Sequence, residues 1–255
     1  MKHFNFGKNW MKFSVTSLNQ EKIHEAEESL KELIGEENIK DKTFLDIGWG
    51  SGIFALGAKS LGAKKVVGID VSKESVETAL MNKREFAPTA DIVFVEGSIL
   101  DKRIQAIGCF DIVYSWGVLH HTGKMWEAIE NAMKLVENKG IFVIAIYQKH
   151  WSSKAWLLIK KIYNGSPQFF QKIMTWLFYG VLLIAKIIVT RKNPFKKRRG
   201  MSFYYDVIDW LGGYPYEYAS KQEICTFFEK NNFALVKYTK PPTPTGCLEF
   251  VFKKI

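Results

Sequence analysis

Between residues 43 and 147 the chain alternates short, almost wholly apolar runs with longer segments whose apolar positions recur every three to four residues. TFLDI (43–47), KVVGID (65–70), DIVFVEG (91–97), FDIVYS (110–115) and GIFVIAIY (140–147) have strand length. Their near-continuous apolarity suits strands covered on both faces, as in a parallel sheet. Segments 51–61, 72–86 and 123–137 read as helices, the second opening on Ser72 as N-cap and the third ending before Gly140. The alternation predicts a doubly wound, Rossmann-like α/β fold. Further on, SKQEICTFFEKNN places Ser220 and Glu223 at capping-box spacing. FALVKYTK, the turn PPTPTGC and LEFVFKK then read as an antiparallel hairpin closing the sheet. There is no internal repeat.

Two segments fall outside this rhythm in a chain read as one domain over 1–255. Residues 1–42 form an N-terminal helical arm. Residues 148–219 form a helical insertion far longer than an ordinary connection. It leaves the carboxyl end of the fifth strand and so should cover a ligand site there. Within it, IMTWLFYGVLLIAKIIVT (173–190) is strongly apolar but interrupted by Lys186, which argues against a membrane span. RKNPFKKRR (191–199) follows, with six basic residues in nine. An apolar helix with a polybasic flank fits an interfacial helix on an anionic leaflet. It also fits a buried lid or dimer helix beside a solvated basic loop, and the buried helix is the expectation adopted.

Composition narrows the class. At 255 residues and 47% hydrophobic, the chain can bury a sizeable core without metal or disulfide. Cys109, Cys225 and Cys247 form no CxxC pair, so no metal centre is predicted. Reduced cysteines and the lack of a signal-like apolar run near residue 1 point to a cytoplasmic protein, with a peripheral place on the inner membrane face as the variant. A net charge of +10 favours anionic partners.

The candidate chemistry begins at FLDIGWGSGIFAL (44–56). Gly48, Gly50 and Gly52 occupy the first strand-to-helix turn, where backbone must approach a ligand closely. Asp70 ends the second strand about 20 residues on, where a carboxylate can accept two hydrogen bonds from a ribose diol. A nucleoside ligand follows. Gly50, Gly52 and Ala55 also satisfy the dinucleotide pattern GxGxxA. Asp46, however, would repel a pyrophosphate and attract an ammonium group.

DIGWGSG, GIDVS, VEGSILD and FDIVYSWGVLHHTG, in that order over residues 44–147, resemble the class I S-adenosylmethionine-dependent methyltransferases. The resemblance implies that family's fold and S-adenosyl-L-methionine as cofactor. It places Asp46 and the loop Gly48, Trp49, Gly50, Ser51 and Gly52 on the methionine moiety, and Asp70 on the ribose. Val71 falls on the adenine face, Gly97, Ser98 and Ile99 along its edge, and Ser115 and Trp116 beside the methyl group. The family often has an acid at Ser98 and a small residue at Trp49. FGKNWMKF resembles an arm lying over the cofactor, with Trp10 nearest.

His120 and His121 follow the fourth strand, where acceptors bind. A hydroxyl acceptor must lose a proton, and an imidazole can take it. The tandem LHH looks like that of small-molecule and sugar O-methyltransferases, although one histidine could instead pack on the sheet. A strand ending in YSWGV lacks the acid or Asn, prolines and aromatic of nucleobase N-methylation, so no nucleic-acid substrate is expected. In RGMSFYYDVIDWLGGYPYEYAS, residues Tyr204, Tyr205, Asp209 and Tyr214 are read as acceptor contacts, with Arg199 for a phosphate or carboxylate and Cys247 lining the active edge. This segment resembles a branch loosely named after quinone methylases, which tends to carry Asn where Leu248 stands. The function expected is O-methylation of a small molecule such as a sugar or envelope-glycan precursor. A quinone or other lipid-phase phenol is the alternative, and a cofactor-binding protein without activity a third reading. The sequence leaves the oligomeric state open.

Overall fold

The computed structural model describes residues 4–191 and 203–255. Among them, one sheet of seven strands runs in the order β3-β2-β1-β4-β5-β7-β6. Its strands are β1 (Thr43–Ile47), β2 (Lys65–Asp70), β3 (Ile92–Glu96), β4 (Phe110–Trp116), β5 (Val136–Tyr147), β6 (Phe233–Thr239) and β7 (Cys247–Lys254). β1 to β5 are parallel, and β7 runs antiparallel to both β5 and β6. The Rossmann-like α/β expectation and the closing hairpin are thus both met. β1 lies between β2 and β4, and the chain reverses its direction of travel across the sheet there. A crevice at such a point is where open α/β sheets bind ligands.

Strand alternation divides the core. Leu45, Val67, Val113, Phe142 and Ile144 point to the face covered by α5 (Met125–Lys134) and α9 (Lys221–Lys230). Phe44, Val66, Ile112, Tyr114 and Val143 point to the face covered by α2 (Gln20–Ile34) and α3 (Ile53–Ser60). α4 (Lys73–Phe86) opens on the predicted Ser72 cap, whose Oγ accepts from Ser75 N. The capping box of Ser220 and Glu223 is likewise present.

One boundary moves. β5 begins at Val136, inside the segment expected to be helical, because Leu135 ends α5 and Val136 pairs with Phe110 across an irregularity in the ladder. Apolar Val136 fits either period, so the local pattern did not separate them.

The insertion carries α6 (Ser153–Gly165), α7 (Gln168–Thr190) and α8 (Phe203–Gly212). They share a small core of Tyr163, Phe203, Val207 and Leu211, against which Met174, Phe178, Leu182 and Leu183 of α7 pack. The expectation that α7 is buried as a lid within the chain needs correcting. Its 174/178/182 side packs into the core shared with α6 and α8, and the opposite side stays largely open, with Trp176, Leu177 and Ile184 each at least 60% exposed. A helix apolar all round can bury just the side that faces its neighbour.

The arm begins with α1 (Phe6–Ser17), which lies across α4 and α8 and so connects the sheet domain to the insertion.

Candidate active site

The turn after β1 is held open by its glycines. Gly48, Gly50 and Gly52 have φ of +76°, +57° and +77°, a region that L side chains rarely adopt. A Cβ at Gly48 would stand 2.4 Å from the Val118 side chain, and one at Gly50 would stand 2.7 Å from the Trp10 indole. The bare loop therefore touches both the β4 loop and the arm. Asp46 is buried at the strand end, and Ser51 is buried with no hydrogen-bond partner for its Oγ among the described residues.

Asp70 faces the same loop. Its Oδ2 accepts from Gly50 N at 3.2 Å and its Oδ1 from Ser72 N at 2.9 Å. Burial pushes the carboxyl up to about 6, although these backbone donors pull the other way. Val71, next in the chain, is 70% exposed and offers a bare apolar surface beside that carboxylate. Such a cradle, with an acid at the second strand end and an apolar platform next to it, fits a nucleoside with a zwitterionic tail.

On the other side of the crevice, β4 runs into a tight turn over Leu119–His121. His121 Nδ1 lies 2.6 Å from Pro215 O. A carbonyl only accepts, so Nδ1 carries the proton and Nε2 keeps its lone pair. Burial, reinforced by the charge of Lys160, lowers His121 to about 3, and His120 is also held well below the ordinary range by burial. Both are neutral at physiological pH. His120 is fully buried, accepts weakly from Tyr147 N at 3.4 Å and leaves Nε2 without a partner among the described residues. The Phe6 ring lies 4.9 Å from His121. One helix, α1, thus covers the glycine loop with Trp10 and the histidine turn with Phe6.

A family model described as a methyltransferase domain matches residues 38–203, well over half of the chain. The protein is a class I S-adenosylmethionine-dependent methyltransferase. Among similar proteins, a ubiquinone biosynthesis O-methyltransferase of Pelagibacter ubique is 27% identical over 174 residues, covering 65% of this chain and 67% of that one. A ribosomal protein L11 methyltransferase of Deinococcus radiodurans is 36% identical over 78 residues, covering 30% of this chain and 29% of that one. The chain thus spans under a third of that relative. In fold, the methyltransferase is similar to the magnesium protoporphyrin IX methyltransferase of Synechocystis PCC 6803 solved with bound SAH. The TM-score is 0.57 at 15% identity, over 100% of this chain and 90% of that one. It is also similar to a putative S-adenosylmethionine-dependent methyltransferase from Listeria monocytogenes, with TM-score 0.55 at 17% identity over 91% and 99% of the two chains.

The remaining site residues of the methyltransferase divide into those at the crevice and those turned elsewhere. The Trp49 ring leaves the loop for the core, lies over Gly68 and donates to Ser75 O at 3.2 Å, so only its backbone remains beside the ligand path. That packing explains a bulky residue where the family has a small one. Gly97 ties back to Asp70 O, Ser98 Oγ accepts from Leu100 N, and Ile99 is buried in the core. Ser115 Oγ donates to Ile47 O at 3.3 Å, and Trp116 Nε1 donates to Glu249 at 2.8 Å, so both side chains brace the sheet.

The acceptor residues expected on the insertion do not converge. Tyr204 turns out toward Trp176 and Tyr179 of α7. Tyr205 packs on Phe13, and its hydroxyl lies 3.1 Å from Thr16. Asp209 accepts from Asn9 Nδ2 at 2.8 Å, and Tyr214 gives its carbonyl to Phe4 N. Tyr205, Asp209 and Tyr214 thus clamp the arm while Tyr204 faces α7, so the four present no common face. Arg199 lies outside the described residues. Cys247 opens β7 opposite Tyr147.

What stands by the histidines instead is Lys160, fully buried on the inner side of α6. Its Nζ donates to Trp210 O and lies 4.3 Å from the Trp210 ring, 4.9 Å from Tyr216 and 5.6 Å from Tyr147. Burial lowers it to about 7, against the pull of Asp209. Tyr147 in turn lies 4.0 Å from His120, ring to ring. A lysine on the apolar stripe of an amphipathic helix was the one available signal for this cage.

Proposed function

We propose that the protein transfers a methyl group to the hydroxyl of a small, ring-bearing acceptor, phenolic rather than sugar-like. The observation that carries this reading is the fixed tautomer of His121, whose Nδ1 is held by Pro215 O so that Nε2 keeps its lone pair, beside the aromatic rings of Phe6 and Tyr147. When bound, S-adenosylmethionine supplies an electrophilic methyl on a sulfonium. Asp70 would accept the ribose hydroxyls, Val71 would carry the adenine, and the loop Gly48–Gly52 with Asp46 would hold the amino-acid end. His121 Nε2 would take the acceptor's hydroxyl proton as the methyl passes to that oxygen and its bond to sulfur breaks, leaving a neutral thioether, and Pro215 O would steady the resulting imidazolium through Nδ1. A phenol gives up its proton more readily than a sugar alcohol does, and its ring suits the aromatic side chains of Phe6 and Tyr147 beside His121. Trp10 and Phe6 exclude water by lying across both halves. The relative named for ubiquinone biosynthesis supports the same choice.

The test is a panel of phenols, catechols and nucleotide sugars incubated with isotopically labelled methyl donor. Label in the phenolic arm supports the reading. Label in the sugar arm alone would overturn the acceptor class, and donor binding with no transfer to any member would favour the inactive alternative.

A further inference from the structure

The open stripe of α7 is a surface feature that the chemistry leaves unused. Phe169, Phe170, Ile173, Trp176, Leu177 and Ile184 are each 48–68% exposed along it. Leu158 and Ile162 of α6 extend it at 59% and 52%, and Trp151, just before α6, stands 88% exposed. The helix is long and apolar enough to cross a membrane by length and composition, yet only 6% of its apolar window is buried. Soluble monomers rarely leave a contiguous apolar face of this size uncovered.

Charge selects what covers it. From Gln148 to Ser202 the sequence has 12 Lys and Arg and no Asp or Glu, whereas the rest of the chain carries a net charge of −2. The whole basic excess of the protein therefore sits on the segment that bears the apolar face. Lys154, Lys161 and Lys172 are exposed on α6 and α7 themselves. Two copies joined through this face would bring two such cationic segments together at a repulsive cost. An anionic leaflet complements it, with apolar side chains entering the acyl boundary, long cations reaching headgroup phosphates and tryptophans settling at the interface. Spanning is disfavoured because α7 would have to abandon Phe203, Val207 and Leu211 of α8 and carry Lys172 and Lys186 into hydrocarbon.

We infer that the outer face of α6 and α7 docks the protein, with α7 in the plane of the membrane, onto a bilayer surface rich in anionic lipid. The inference does not depend on the acceptor.

The test is flotation of the full chain with phosphatidylglycerol-rich and phosphatidylcholine vesicles at low and high salt. Two variants accompany it, one carrying Trp176→Gln, Leu177→Gln and Ile184→Gln, the other with Lys196, Lys197, Arg198 and Arg199 changed to Gln. Wild type should float with the anionic vesicles and be released by salt, since each basic residue near the surface adds about fivefold to binding. Each variant should lose more than about tenfold. Far-ultraviolet dichroism and S-adenosylmethionine affinity unchanged in the variants exclude misfolding, because the altered α7 side chains are exposed and the cofactor crevice lies elsewhere. Failure of wild type to float, equal flotation on both vesicle types, or full flotation of the glutamine variants would overturn the inference. So would a concentration-dependent dimer, abolished by the α7 substitutions, in a protein that does not float.

Discussion

The sheet half and the insertion bury their apolar residues under different rules. β1, β2, β4 and β5 each have a strand on both edges and helices over both faces, so an apolar run there has only one place to go, whereas the edge strand β3 leaves Val93 43% exposed. In α7 the same density of apolar residues meets α6 and α8 on one side only, and the other side remains at the surface. Hydrophobic pattern dictates position where the architecture closes around it. Where it does not, the pattern names two faces and leaves the second to a partner. The proposed cofactor cradle and base lie on the closed half, with the arm helix α1 laid across both halves.

The largest effect should come from the closed half. His121→Ala is expected to lower turnover by about 10²–10⁴-fold with little change in cofactor affinity, since the base acts in the chemical step. His120→Ala should show mainly a loss of stability, because that ring is buried against Tyr147. Equal kinetic losses in the two variants would mean that the pair works by packing.

The two faces of α7 give the next contrast. Phe178→Ala removes a side chain packed toward α8 and should cost about 1–3 kcal/mol, whereas Trp176→Gln on the open face should stay within about 0.5 kcal/mol in water. Urea denaturation measures both. Similar losses would place the outer face in a contact within the protein.

A smaller effect concerns Lys160. Its native value of about 7 lies below the ordinary 10.5, so the unfolded chain binds more protons between those values. Stability should rise with pH across that window, and Lys160→Met should flatten the rise. A slope unaltered in the variant would mean that the amine is solvated.

Much of this was legible in the chain. Ser72, the Ser220–Glu223 box and the strand runs fixed most element positions, because local signals and tertiary placement agree there. The glycine turn and Asp70 stood out since few residue types tolerate a positive φ or end a buried strand with a charge. Trp49 misled because a ring can leave its loop for the core once Gly68 makes room. The α8 residues misled for another reason. Their side chains alternate around a helix, and nothing in the sequence said that Asn9 would claim Asp209 or that α7 would claim Tyr204. Lys160 and Phe6 reach the histidines only through tertiary packing.

The central claim is that the crevice at β1 and β2 holds S-adenosylmethionine through an ionised Asp70. Below the usual carboxyl value of 3.8 the group is protonated in folded and unfolded chains alike. Between 3.8 and about 6 the native state alone keeps its proton, so this carboxyl's contribution to stability is lost as pH rises through that window. Ribose hydroxyls donate to the ionised form, so cofactor affinity should rise through the same range. Calorimetric titration of wild type and Asp70→Asn with S-adenosylmethionine, from acid to neutral pH, tests this most directly. The account predicts a wild-type affinity that climbs to a plateau above about pH 6. It also predicts a variant that binds about 10–100-fold more weakly without that climb, as expected when a charge-assisted partner is lost. An affinity equal in the two proteins to within about twofold, or binding of NAD in place of S-adenosylmethionine, would contradict it.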